Sequence, residues 1–243
     1  MPNPTAAMLV IADEILSGRT RDANMHHLAG ELSKHGIELK EVRVVSDDRT
    51  AIIDAVRALA RAHDHVFSSG GIGPTHDDIT ADAIAAAFDT SIDIRADARA
   101  LLAAHCEQAG IELNAARLRM ARIPEGASLI DNPVSAAPGF SLGNVHVLAG
   151  VPTVFQAMVA GLVPRLTGGA PLLSQSLRFM VGEGLLAEPL ASLAADYPML
   201  SIGSYPFQKS GVYGTNIVVR GSDRDAVGAA MHKLAALHLD TAK

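Results

Sequence analysis

The segment Gly70-Gly71-Ile72-Gly73-Pro74-Thr75-His76-Asp77-Asp78-Ile79-Thr80 concentrates the residue types that chemistry on a phosphate requires. Glycines let the backbone enter positive φ and approach a ligand closely, so that successive amides converge on an anion. A helix opening straight after such a loop adds unpaired N–H groups and the positive end of its dipole. A phosphate is the natural occupant. The adjacent carboxylates Asp77 and Asp78 would repel a bare phosphate, which points to a bridging divalent cation or to a general base. A plainer reading is a turn in which Asp78 or Thr80 caps the following helix. The generic alternatives fit poorly. A dinucleotide fingerprint needs a third glycine where His76 stands, and a P-loop needs Gly-Lys-Ser/Thr, which the chain lacks.

The elements that must position this loop alternate in kind. An apolar run over 8–12 reads as a buried strand. Asp22-Ala23-Asn24 opens a helix with Met25, Leu28, Ala29 and Leu32 on one face, and Gly36 closes it. A strand over 37–45 follows, then a helix capped by Asp47 or Asp48 that buries Ile52, Ile53, Val56, Leu59 and Ala60. A strand over 65–68 leads into the glycines, and a helix spans 79–88. This order implies right-handed βαβ crossovers and an α/β fold with a mostly parallel sheet. Ligands bind beyond the carboxyl ends of such strands. Those ends carry Asp13-Glu14, Ser46-Asp47-Asp48 and the glycine loop.

Helices over 96–107 and 113–121 follow, then a long loop marked by Pro124, Asn132-Pro133 and Ala137-Pro138-Gly139. A strand over 145–148, a turn at Gly150-Val151-Pro152 and a helix over 153–166 complete a first domain, 1–168. After a Gly/Pro linker, residues 169–243 read as a small βαββα domain: strand 174–181, helix 183–195, strands 199–205 and 211–220, helix 223–238. Its Tyr205, Phe207 and Tyr213 read as hairpin packing.

Composition narrows the function classes. With 49% hydrophobic and 19% charged residues, the chain is folded rather than disordered. No apolar run approaches the ~18 residues that span a bilayer. Residues 1–5 carry no basic side chain, unlike a secretory leader. A net charge of −6, no basic stripe and no tryptophan argue against nucleic acid as a partner. The single cysteine, Cys106, makes no internal disulfide and reads as inert core, which fits a cytoplasmic protein. His26-His27 lacks a metal-ligand pattern, and His76 reads as an exposed loop histidine. Arg117, Arg119 and Arg122 do not share one helix face, although one of them could meet a phosphate.

The loop from Gly70 to Thr80 resembles the signature of the MoaB/Mog molybdopterin-binding fold, and its double aspartate is similar to one branch of it. That branch comprises the N-terminal domain of competence/damage-inducible protein A and the pterin-binding-like domain of eukaryotic FAD synthase. Collinear matches extend over about 8–166: Asp13-Glu14-Ile15-Leu16-Ser17-Gly18, Asp22-Ala23-Asn24, Val44-Val45-Ser46-Asp47, Pro124-Glu125-Gly126-Ala127, Asn132-Pro133, Ala137-Pro138-Gly139-Phe140 and Gly150-Val151-Pro152. Ser135-Ala136 and Met120-Ala121 depart from the branch pattern.

The resemblance implies a three-layer αβα fold that self-associates. It implies a phosphate-bearing nucleotide or pterin as ligand, molybdopterin included. It marks Asp78 and Asp47 as catalytic, and Glu14, Asp47, Asp77 and Asp78 as holding one Mg²⁺, Mn²⁺ or Co²⁺. Gly70, Gly71, Gly73, Thr75, Asn114, Pro138 and Gly139 are the expected ligand contacts, with a helix cap as the other reading of Asn114; Asp13 is a weaker candidate. The activity it implies is metal-dependent pyrophosphate hydrolysis in an ADP-ribose- or FAD-like ligand. The alternatives are a binding module for molybdopterin without turnover, and adenylyl transfer to molybdopterin.

Overall fold

A computed structural model describes residues 3–209 and 211–237, and the chain separates into two compact units, Met1–Gly169 and Ala170–Lys243. The first begins with strand β1 (Thr5–Ile11), helix α1 (Asp13–Leu16), helix α2 (Asn24–Lys34), strand β2 (Glu38–Val45), helix α3 (Arg49–Ala62), strand β3 (His65–Ser69) and helix α4 (Thr80–Ala87). Strand β4 (Ile92–Ile94), helices α5 (Ala96–Ala109) and α6 (Ala115–Arg119), and strands β5 (Arg122–Pro124), β6 (Ser128–Ile130), β7 (Gly139–Leu142) and β8 (Val145–Leu148) follow. Helix α7 (Pro152–Leu162) ends in a 3₁₀ turn, Val163–Arg165, where Pro164 removes a backbone donor.

The main sheet has the order β2-β1-β3-β8-β7-β6. The first four strands run parallel, and β7 and β6 add antiparallel to the β8 edge. Strand β1 explains the layering. Its residues alternate between two cores: Ala7, Leu9 and Ile11 face one, and Ala6, Met8 and Val10 face the other. A strand buried on both faces must be apolar throughout, and that is what the run 6–11 provides. Helices α3, α4 and α5 supply Ile52, Val56, Ile84 and Leu102 to the first core. Helices α2 and α7 supply Leu28, Leu32, Phe155 and Met158 to the second. The result is a three-layer α/β unit with a largely parallel sheet. Each fully buried side chain such as Leu9 or Phe155 stabilises it by about 1.5–3 kcal/mol.

Helix ends follow their sequence signals. Asp48, rather than Asp47, caps α3 by accepting from the Ala51 amide at 2.8 Å. Gly36 takes φ 65° just beyond α2, as a helix-closing glycine does. Two readings need correction. Met25 does not share the buried face of α2: it is 40% exposed, and Asn24, at i−4 from Leu28 and i−8 from Leu32, takes that face instead. The stretch read as a long loop holds strands β5, β6 and β7. These are three- and four-residue strands, too short to show a period between their prolines and glycines; β6 and β7 pair antiparallel with near neighbours, whereas β5 pairs antiparallel with β4 across helices α5 and α6.

The second unit runs β9 (Leu173–Phe179), α8 (Glu183–Asp196), β10 (Ser201–Lys209), β11 (Val212–Gly221) and α9 (Arg224–Ala235), a βαββα unit. Its antiparallel sheet, β10-β11-β9, packs Phe179, Ile217 and Val219 with Leu186, Leu193, Val227 and Leu234 in a core of its own. The expected end of the last helix, His238, lies outside the described residues. Cys106 is buried, and among the described residues no helix is long and apolar enough to cross a membrane.

Within the main sheet a polar chain crosses three strands. Ser141 Oγ lies 2.8 Å from His146 Nδ1, His146 Nε2 lies 3.4 Å from His65 Nδ1, and His65 Nε2 lies 3.3 Å from the Thr167 carbonyl. A carbonyl only accepts, so with both rings neutral each link donates in one direction, from Ser141 towards Thr167. Burial, reinforced by His65, lowers the His146 pKa from 6.5 to about 4. Between those values the unfolded chain binds a proton that the folded chain refuses, so stability is lost as pH falls from 6.5 towards 4. The loss is at most roughly 3 kcal/mol. Urea midpoints at pH 7 and pH 4.5 should show this drop, and His146→Gln should flatten it; an equal slope in the variant would assign the drop to other groups.

Candidate functional site

The carboxyl ends of the four parallel strands surround a cavity of about 550 Å³. Its walls include Ile11 and Ala12 after β1, Asp47 after β2, Ser69 to Gly73 after β3, and Ala149 to Val154 after β8. Asn24 opens α2 into it, and Val151 and Pro152 open α7 into it. Two helix dipoles therefore end at the cavity with their positive poles.

Close backbone contacts fix the glycine loop. Gly70 has φ 109°, and a Cβ there would lie 2.3 Å from the Ile11 carbonyl oxygen. A Cβ on Gly71, at φ 67°, would lie 2.1 Å from Thr80 Oγ1. Buried Thr80 locks the turn: its hydroxyl donates to the Gly70 carbonyl at 3.0 Å and its amide donates to the Gly71 carbonyl at 3.0 Å. The amides of Gly71, Ile72 and Gly73 have no acceptor among the described residues. Three successive unpaired N–H groups at a cavity wall are groups of the kind that can serve an anion.

The carboxylates share the cavity and differ in role. One oxygen of Asp78 accepts from both the amide and the hydroxyl of Thr75, at 2.8 and 2.6 Å. The missing Cβ of Gly73 makes room for that carboxylate, which would sit 2.6 Å from it. Asp47 accepts from the Asp13 amide at 3.1 Å and so ties the end of β2 to the end of β1. Burial raises the Asp47 pKa, and the nearby charges of Asp13, Glu14 and Asp77 add to the rise, against the lowering by the Asp13 amide. Glu14, Asp22 and Asp77 also line the cavity, and Asp22 accepts from the Met25 amide at 2.9 Å.

The expected contacts are placed unevenly. Gly70, Gly71, Gly73, Glu14, Asp47, Asp77 and Asp78 line the cavity together. Thr75 is exposed and holds Asp78 rather than facing inwards. Pro138 borders a narrow side crevice with Gly71 and Gly73, whereas Gly139 is buried where a Cβ would strike the Val147 carbonyl at 2.3 Å. Asn114 is exposed and caps α6 through the Arg117 amide at 3.0 Å. The side chain of His76 is 98% exposed.

Two asparagines, named in the motifs Asp22-Ala23-Asn24 and Asn132-Pro133, were not among the expected site residues. Asn24 is buried, and its amide nitrogen donates to Ser69 Oγ at 2.8 Å and to the Gly150 carbonyl at 2.7 Å, while its Oδ1 has no partner. The signal was a polar residue on an apolar helix stripe. Asn132 organises the opposite wall: its Oδ1 accepts from the amides of Val134 and Ser135, and its amide group donates to Ser135 Oγ and the Ala137 carbonyl. In that loop Ala136 is held at φ 58°.

Fold and site together define an α/β protein with a cavity beyond the carboxyl ends of its parallel strands. The chain belongs to the family described as "Probable molybdopterin binding domain", whose model matches residues 7–168. A second family description, "FAD synthase, middle domain", matches residues 171–241. A probable FAD synthase of Caenorhabditis elegans is 31% identical over 97% of this chain and 50% of its own length. A CinA-like protein of Citrifermentans bemidjiense is 36% identical over 67% of this chain and 40% of its own. The chain thus spans about half, or less, of these two curated relatives. The crystal structure of the protein CinA from Thermoplasma acidophilum, of unknown function, superposes with a TM-score of 0.60 at 34% identity, covering 66% of this chain and 96% of that one.

These findings correct the expected metal-dependent pyrophosphatase. Among the described residues no group of three or more His, Cys, Asp or Glu side chains is placed to hold a metal ion. Asp78 and Asp47 each direct an oxygen to backbone amides, closing loops instead of converging on one point. The family is described by binding and not by hydrolysis.

Gly70→Ala should lower stability by about 2 kcal/mol or more, since strain at positive φ adds to a backbone clash. Gly73→Ala meets only the movable end of Asp78 and should cost less than half as much in a thermal melt. Equal losses would mean that Asp78 is rigidly held. Ala136→Gly should raise stability by about 1 kcal/mol by relieving the left-handed alanine; no rise would show that the Asn132 loop compensates the strain.

Proposed function

We propose that residues 1–168 form a domain that binds a phosphate-bearing pterin of the molybdopterin class or a related nucleotide, and that 169–243 form a second small domain. The observation that carries this reading is the row of unpaired amides at Gly71, Ile72 and Gly73 on the wall of the cavity. The volume falls within the ~300–1,000 Å³ range usual for small-molecule sites. Asn24 also lines the cavity, and its buried Oδ1 has no partner. When bound, molybdopterin would bring its phosphate to the glycine amides.

Family membership favours one further reading, adenylyl transfer from ATP to the phosphate of the bound pterin, with pyrophosphate leaving.

Anaerobic calorimetric titration with molybdopterin, AMP and FMN, with and without Mg²⁺, tests the proposal. Saturable one-to-one binding of at least one of them, lost in Gly71→Ala, is the expected result. No binding of any would overturn it. Adenylylated pterin formed in step with pyrophosphate would establish the transferase; unchanged ATP beside tight pterin binding would leave a binding module.

A further inference from the structure

The cavity is poorly matched in charge to the ligand proposed for it. Glu14, Asp22, Asp47, Asp77 and Asp78 line it, and the one cationic side chain on its wall among the described residues is Arg21. A phosphate beside Asp77 and Asp78 is repelled at short range. Amide dipoles carry partial charges, and a full positive charge near the glycines would offset that repulsion.

The three arginines near the end of α6 answer this differently. Arg117 is occupied, since its guanidinium donates to the Glu112 carbonyl at 2.7 Å. Arg122 is occupied by an ion pair with Asp82. Arg119 has no hydrogen-bond or ion-pair partner among the described residues. It borders the narrow crevice that Gly71, Ile72, Gly73 and Asp78 also line, and Met120 joins that crevice to the main cavity. Arg21 lies on the other lip, beside Asp22 on the approach to α2.

We propose that Arg119 is the guanidinium that meets the ligand's phosphate across from the Gly71–Gly73 amides. This rests on the binding reading above and adds a selectivity: Arg119 makes the site prefer phosphorylated ligands over their dephosphorylated forms. The side chain is exposed and unpaired, so its placement costs no existing interaction, and its planar fork can offer two donors to one phosphate. Asp78 lies beside the same crevice and would compete for it, which makes the pairing sensitive to salt.

The test compares AMP with adenosine, and FMN with riboflavin, by calorimetric titration at 50 and 300 mM salt. Arg119→Gln, Arg119→Lys and Arg21→Gln are measured beside the unaltered chain. Arg119→Gln should weaken AMP or FMN binding by about tenfold or more, the scale of one charge-assisted hydrogen bond. Adenosine and riboflavin binding should stay unchanged, Arg119→Lys should recover part of the loss, and the salt dependence should flatten. If the unaltered chain binds neither member of either pair, the site reading itself fails and this proposal falls with it. If it binds them and Arg119→Gln leaves the phosphate preference intact, or Arg21→Gln removes it instead, Arg119 is not the phosphate ligand.

Discussion

The ends of three strands come closer at Gly70 than a side chain would allow. The Ile11 carbonyl stands 2.3 Å from where its Cβ would be, and the Gly70 Cα lies 3.2 Å from the Cβ position of Gly150. That steric constraint brings β1, β3 and β8 to a common edge. It also forces the chain after β3 into positive φ at two successive residues, Gly70 and Gly71. After two consecutive residues in that region, the amides of Gly71, Ile72 and Gly73 leave the sheet ladder unpaired beside the cavity. Thr80 then fastens the turn from beneath, which places the start of α4 against it.

Around that point the polar groups serve the architecture before they serve a ligand. Asp48 and Asp22 hold helix starts, Asp47 joins two strand ends, and Asp78 closes the Thr75 turn. Asn24 bridges Ser69 and Gly150, and so β3 and the β8 loop. A wall built in this way is preorganised: its donors are fixed by bonds on their far side, and little order remains to be imposed when a ligand enters.

The alternation of strands and helices was legible because each parallel strand is a short apolar run and each helix carries a stripe and a cap. The glycine loop was legible because its residue types have few other uses. The antiparallel strands β5 to β7 were not, because no period shows in three or four residues. Side-chain roles were the least legible. Asp78 and Thr75 look like ligand contacts in a list of residues, yet they hold one another in space. Asn114 looked equally like a contact and a cap, and the folded chain uses it as a cap. Asn24 had the opposite fate, since its polarity was visible while its burial depended on the helix phase.

The raised pKa of Asp47 has a thermodynamic consequence for whatever enters the cavity. A carboxyl already made reluctant to ionise, by burial and by its acidic neighbours, becomes more so when an anion arrives beside it. Binding of an anion there would be coupled to protonation of Asp47 over the pH range in which that carboxyl titrates. The heat released on binding would then include the heat of taking a proton from the buffer, and would change from one buffer to another at the same pH.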